Sequence, residues 1–150
     1  MRKITAFIMC MIFAISVSAQ VRTISKDEFP APAIEFVNIW YSNYTNPVYF
    51  VEYDFKRVDD YEVRFDNGTK LEFDKQGNIK TIDCGRNDTI NKKLLPIKIQ
   101  KYLSIKYPNN SVIEYTVDDY GHRWVEYEVD LNNGLSLTFN KNFKVTEIDK

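Results

Sequence analysis

From Tyr61 the chain alternates. Tyr61, Val63 and Phe65 are apolar, and Glu62, Arg64 and Asp66 between them are polar. A period of two predicts a strand with one buried face. Asn67-Gly68 follows and reads as a hairpin turn of type I′, with positive φ at both residues. Leu71 and Phe73 then alternate with Lys70 and Glu72, "DKQGN" turns the chain again, and residues 79–82 predict a third strand. Sixty-six residues later the plan recurs. "YEVRFDNGTKLEFDKQGNIKTID" from Tyr61 and "YEVDLNNGLSLTFNKNFKVTEID" from Tyr127 share ten of 23 positions. In the second copy Val125, Tyr127, Val129 and Leu131 claim one face, and Trp124, Glu126, Glu128 and Asp130 the other. Asn133-Gly134 turns the chain, and Leu135, Leu137 and Phe139 return. Phe143 stands where the first copy has Gly77, which places the left-handed residue of that turn at Asn142.

Each copy has a further strand upstream. "PVYFVEYDF" puts Tyr49, Val51, Tyr53 and Phe55 on one face, and "SVIEYTVDD" does the same with Ile113, Tyr115 and Val117. A helix is expected before each set of strands. Ala33, Val37, Trp40 and Tyr44 recur at helical spacing behind Pro32, and Ile99, Tyr102, Leu103 and Lys106 recur between Pro96 and Pro108. The expected fold is therefore α+β: two tandem repeats, each of one helix and about four antiparallel strands. The helix would cover the apolar sheet face.

The first twenty residues change the picture of compartment. Arg2 and Lys3 precede an apolar run from Ile4 to Val17, and Val17-Ser18-Ala19 offers small side chains for cleavage. This predicts a signal peptide cut after Ala19. The run is shorter than the roughly 20 residues of a membrane span, so no stable membrane anchor is expected after cleavage. Cys10, preceded by Met9 and followed by Phe13 and Ile15, reads as part of the leader rather than a lipidation site. The organisation expected is a leader at 1–19, a first repeat at 20–84, a linker at 85–93 and a second repeat at 94–150. The protein is then periplasmic or secreted.

Removing 19 residues from 150 leaves 131, with 18 basic against 21 acidic side chains, a net charge of −3. That excludes the basic footprint of a nucleic-acid binder. Cys84 is left alone, so no internal disulfide is available, and a buried small hydrophobe is the expected role.

"LPIKIQKYLSIKYPNNSVIEYTVDD…YEVDLNNGLSLTFNKNFKVTEID" strongly resembles the PepSY-like family, which is also labelled β-lactamase-inhibitor-like. The residues that carry the resemblance are Leu95-Pro96 opening the helix and Tyr107-Pro108 closing it. Tyr127-Glu128-Val129, the Asn133-Gly134 hairpin, Phe139-Asn140-Lys141 and Ile148-Asp149 follow. The first copy matches from Tyr61 through Cys84 and departs at its helix end, where "SNYTNP" replaces Tyr-Pro. The resemblance implies a β-lactamase-inhibitor-protein-like fold of two repeats in a secreted protein of Gram-negative bacteria. It implies neither catalytic residues nor demonstrated inhibition.

The chain shows little catalytic chemistry. His122, in "DDYGHRW", is the single histidine, and Asp118 and Asp119 beside it do not complete a metal-ligand set. Ser104, Ser111 and Ser136 lack a histidine at triad-like spacing, and no glycine-rich phosphate loop occurs. A non-enzyme is expected, with no cofactor and no metal site. Asp88-Thr89-Ile90 fits the triplet at which some Gram-negative groups attach O-glycans. Aromatic residues are abundant, with 10 Tyr, 10 Phe and 2 Trp. Trp124 falls on the polar face of its strand, as Phe50 does on its own, and such aromatics anchor interfaces. The expected role is a binding module for a protein or peptide partner in the cell envelope, with a hydrolase among the candidate partners. The candidate contact residues are Trp124, Glu126, Glu128, Arg64, Glu62, Lys70 and Glu72. The alternative is a small-ligand carrier or enzyme using a cleft between the repeats.

Overall fold

The computed structural model describes residues 20–55, 57–119, 121 and 124–150. The leader therefore lies outside the described residues. Within them the chain forms one antiparallel sheet of nine strands, and the order of strands in the sheet is the order in the chain. The strands are β1 (Gln20–Ile24), β2 (Val48–Asp54), β3 (Arg57–Arg64), β4 (Lys70–Asp74) and β5 (Ile79–Asp83), then β6 (Val112–Asp119), β7 (Val125–Leu131), β8 (Ser136–Asn140) and β9 (Val145–Asp149). Helix α1 (Ala31–Trp40) precedes β2, and helix α2 (Ile97–Lys106) precedes β6.

This corrects the expected fold class. The protein is mostly β, with two helices of 10 residues each. It is not a pair of units each made of one helix and four strands. The finding that overturns that reading is the junction. β5 and β6 are hydrogen-bonded neighbours, with Thr81 opposite Thr116, Ile82 opposite Tyr115 and Asp83 opposite Glu114. Joined there, the strands before and after make one sheet, and β1 adds a strand that the alternation did not reveal. Edge-to-edge pairing hides two strand edges that would otherwise invite association.

Register explains where the core sits. One row runs through Ile24, Tyr49, Val63, Leu71, Ile82, Tyr115, Val129, Leu137 and Ile148, one residue from each strand. Both helices cover this face. Ala33 and Val37 of α1 and Ile99 and Leu103 of α2 join the same buried cluster. Each helix also sets an aromatic ring edge-on to a sheet phenylalanine: Phe36 on Phe73 at 5.7 Å and Tyr102 on Phe139 at 5.5 Å. Trp40, read as part of the buried stripe, ends α1 exposed, and Lys106 is exposed too.

Two strand readings change for one reason, a departure from strict alternation. A register shift between Val112 and Glu114 makes Val112 a core residue and leaves Ile113 only half-buried. Phe55, read as inward, lies past the end of β2 with φ 44° and is 74% exposed.

The hairpin turns also differ from the type I′ expectation. Among the described residues neither Asn67 nor Asn133 has positive φ. Gly68 N–H instead donates to the Phe65 carbonyl, and Phe65 N–H donates to the Thr69 carbonyl, both at 3.0 Å. Only Gly68 is left-handed, at φ 88°. This is a longer loop, a turn followed by one left-handed residue. Gly134 repeats it with Leu131 and Leu135.

Candidate functional site

The face opposite the helices is set by the same register. Its central row reads Thr23, Phe50, Glu62, Glu72, Thr81, Thr116, Glu128, Thr138 and Glu147. No described helix crosses this face. Four of the sequence-predicted residues meet on β3 and β4, where Glu62 lies opposite Glu72 and Arg64 opposite Lys70. Glu126 and Glu128 lie on β7, opposite Asn140 and Thr138. The two groups are separated by β5 and β6, roughly 14 Å at ordinary strand spacing. They share one face without forming one cluster.

Trp124 sits just before β7 and is 57% exposed. With Val125, Glu126, Asn140, Lys141 and Asn142 it lines an open depression of about 260 Å³. Phe50 is half-buried, because the Arg64 guanidinium lies over its ring, 4.7 Å from the centroid. His122 falls outside the described residues. Among the described residues the two halves are joined by a strand pair, β5 with β6.

Charge divides this face. On the β3–β5 side carboxylates have cations beside them: Arg64 pairs with Glu62, Lys80 with Asp60, and Lys70 with Glu72 at 3.0 Å. On this face strands β6 to β9 carry Glu114, Asp118, Glu126, Glu128, Asp130, Glu147 and Asp149 and no Lys, Arg or His. Glu114 sits among these carboxylates and is partly buried. Burial pushes its carboxyl above the usual range, and the charges of Asp83, Asp130 and Glu128 push the same way. Among the described residues no group of three His, Cys, Asp or Glu side chains is placed to hold a metal ion. Nor is any described helix long and apolar enough to cross a membrane.

Sequence reasoning missed one polar cluster. Asp88 accepts hydrogen bonds from the Tyr44 hydroxyl and, at 3.3 Å, from the Asn67 amide, tying the first hairpin to the segment after β5. Burial first, and then the Asp88 charge, pushes the Cys84 thiol up to about 11. Cys84 is buried and packs in the core cluster, and a raised thiol value favours its protonated form. Tyr44 and Asp88 are far apart in sequence, and helical spacing put Tyr44 on the α1 stripe, whereas α1 ends at Trp40 and Tyr44 lies in the loop before β2.

Compared with known proteins, residues 59–147 match the family model described as "Putative beta-lactamase-inhibitor-like, PepSY-like". No curated protein matches the chain. Solved structures share the fold, three of them as follows. One, from Bacteroides thetaiotaomicron, is described as a "putative calcium-regulated periplasmic protein". It is 32% identical, with a TM-score of 0.77 over 87% of this chain and 97% of that one. A protein from Bacteroides vulgatus described as a "putative periplasmic protein" is 28% identical, with a TM-score of 0.78 over the same shares. Another from Bacteroides vulgatus, at 23% identity and a TM-score of 0.75, covers 89% of this chain and 100% of its own.

Proposed function

This chain belongs to the PepSY-like family, and from that premise we propose that it is a non-catalytic periplasmic binding module, exported by a leader cut after Ala19. It engages a protein or peptide partner through the exposed face of its sheet. The periplasmic descriptions of its relatives support the compartment. The observation that carries the binding role is the uncovered sheet face with Trp124 standing 57% exposed at its rim. A large rigid aromatic buries much area at low entropic cost, so Trp124 is the anchor. Glu126 and Glu128 run from it along β7. Arg64, Glu62, Lys70 and Glu72 are the outlying contacts on β3 and β4. A partner of the inhibitor-target kind, an envelope hydrolase, fits a module that offers a broad polar face.

The test immobilises the mature protein, captures partners from envelope extract, identifies them by mass spectrometry and measures binding of the purified partner. Trp124→Ala is expected to weaken that binding by roughly 2 kcal/mol or more with the melting temperature nearly unchanged. A large loss of stability with binding intact would make Trp124 a packing residue and end this reading.

A further inference from the structure

β5 and β9 hold the same position relative to the strand before them. Leu71 lies opposite Ile82, and Leu137 opposite Ile148. Phe73 lies opposite Ile79, and Phe139 opposite Val145. Each carries an extra residue at the same place, Lys80 in β5 and Thr146 in β9. Their outer neighbours differ. β5 gives its other edge to β6, Tyr115 lies opposite Ile82, and Ile82 is 0% exposed. Among the described residues β9 has only β8 beside it, and Ile148 is 48% exposed. The β9 edge thus presents an unpaired backbone ladder together with an apolar side chain on the helix-covered face. Its twin side chain in β5 is fully buried by a neighbouring strand.

The charges beside that edge select the occupant. Glu147 and Asp149 project from the open face, one on each side of Ile148 in sequence. Along the same rows inward stand Glu128 and Asp130. We propose that the β9 edge accepts an extended segment of a partner protein as a tenth strand, with a basic–apolar–basic pattern. The apolar residue lies against Ile148, as Tyr115 lies against Ile82. Lys or Arg on either side lies against Glu147 and Asp149. Backbone pairing gives such a site its affinity, and the alternate side chains give its specificity. A second copy of this chain fits poorly. Antiparallel pairing of β9 with itself crowds Glu147 and Asp149 of both copies on one face, and like charges across strands repel. β1 of a second copy carries Arg22 and Ile24 two residues apart, hence on one face, and does not offer the alternation.

The test uses a synthetic probe peptide, Thr-Lys-Val-Lys-Tyr-Lys-Thr, at near-physiological salt so that diffuse charge attraction is screened. Its controls are a Glu-for-Lys version and a scrambled peptide, Lys-Lys-Lys-Thr-Thr-Val-Tyr. The probe is expected to bind and to slow hydrogen exchange at the amides of Val145–Asp149, and neither control should do so. Ile148→Lys should weaken binding at least tenfold. The double variant Glu147→Lys, Asp149→Lys should reverse the preference toward the Glu peptide. Trp124→Ala should leave probe binding unchanged, which separates this edge from the sheet-face reading. Equal binding of probe and scrambled peptide without β9 protection would overturn the proposal. So would concentration-dependent protection of β9 in the protein alone, which would make the edge a self-association site.

Discussion

The turns joining β4 to β5 and β8 to β9 share one hydrogen-bond skeleton and differ at its left-handed residue. In the first, Asp74 N–H donates to the Asn78 carbonyl and Gly77 N–H to the Asp74 carbonyl. In the second, Asn140 N–H donates to Lys144 and Phe143 N–H to Asn140. Gly77 and Phe143 both take the left-handed conformation, at φ 85° and 62°. The left-handed residue of the second turn is thus Phe143 and not Asn142. The surroundings account for the choice at each turn. A Cβ on Gly77 would stand 3.0 Å from Pro30 Cβ and 3.1 Å from the Ala33 nitrogen, because the start of α1 lies on this turn. The Phe143 ring instead stacks on Tyr127 with centroids 5.0 Å apart, and the Lys98 ammonium lies 5.5 Å from its centroid. One turn is shaped by what presses on it, and the other tolerates strain because its side chain covers a neighbour.

Exchanging the two residues breaks the comparison most sharply. Gly77→Phe adds a side chain against the α1 backbone as well as left-handed strain, and is expected to cost about 3 kcal/mol or more. Phe143→Gly removes strain worth about 1 kcal/mol and loses an aromatic pair of similar worth, for a small net change. Urea unfolding of both variants checks the asymmetry, and equal costs would refute the role given to α1.

Gly68→Val and Gly134→Val sharpen it. Both glycines have positive φ and open space where a side chain would go. Each substitution is expected to cost about 1 kcal/mol or more, from backbone strain alone. The two costs should agree within about 0.5 kcal/mol, the usual scatter between independent sites. Clearly unequal melting shifts would show that the two hairpins are not equivalent.

The smallest effect is a pH slope. Burial raises the Asp74 carboxyl, but hydrogen bonds from Asn78 and from the backbone of Gln76 and Gly77 outweigh it and hold the group below its ordinary value. A lowered folded-state value stabilises the protein above the unfolded value and is lost as pH falls through the folded one. Asn140 accepts the matching bonds from the backbone of Asn142 and Lys144 at 3.0 and 3.2 Å without titrating. Asp74→Asn should therefore flatten the loss of melting temperature below about pH 4, and Asn140→Asp should steepen it. Parallel curves for all three proteins would rule the turn carboxylate out.

Much of the sheet was legible because alternation and turn residues are local signals. The core positions Val63, Phe65, Leu71, Phe73, Val129, Leu131, Leu137 and Phe139 all follow from the period-two reading and are all buried. What failed was not local. The extra residue at Ile113 shifts the face of one strand through its pairing with β7. The union of β5 with β6 depends on which edges meet, and alternation says nothing of edges. β1, "QVRTI", is exposed at most of its positions, so it carries no apolar stripe to announce it. At the candidate site, the shared face of Glu126 and Glu128 was readable from one strand's pattern. The contrast between the ion-paired side and the bare acidic side needed the cross-strand register.

A sheet whose spatial order is its chain order has a consequence for how it assembles. Every strand pair except two is a hairpin or a short turn away, so most closures sacrifice little chain entropy. The exceptions are β1 with β2 and β5 with β6, each of which must bring together strands held apart by a helix. Those two closures set the non-local part of the contact order and are the slow steps by topology. They are also the places where α1 and α2 are laid on the sheet. In this chain the late joining of strands and the sealing of the core are therefore one event.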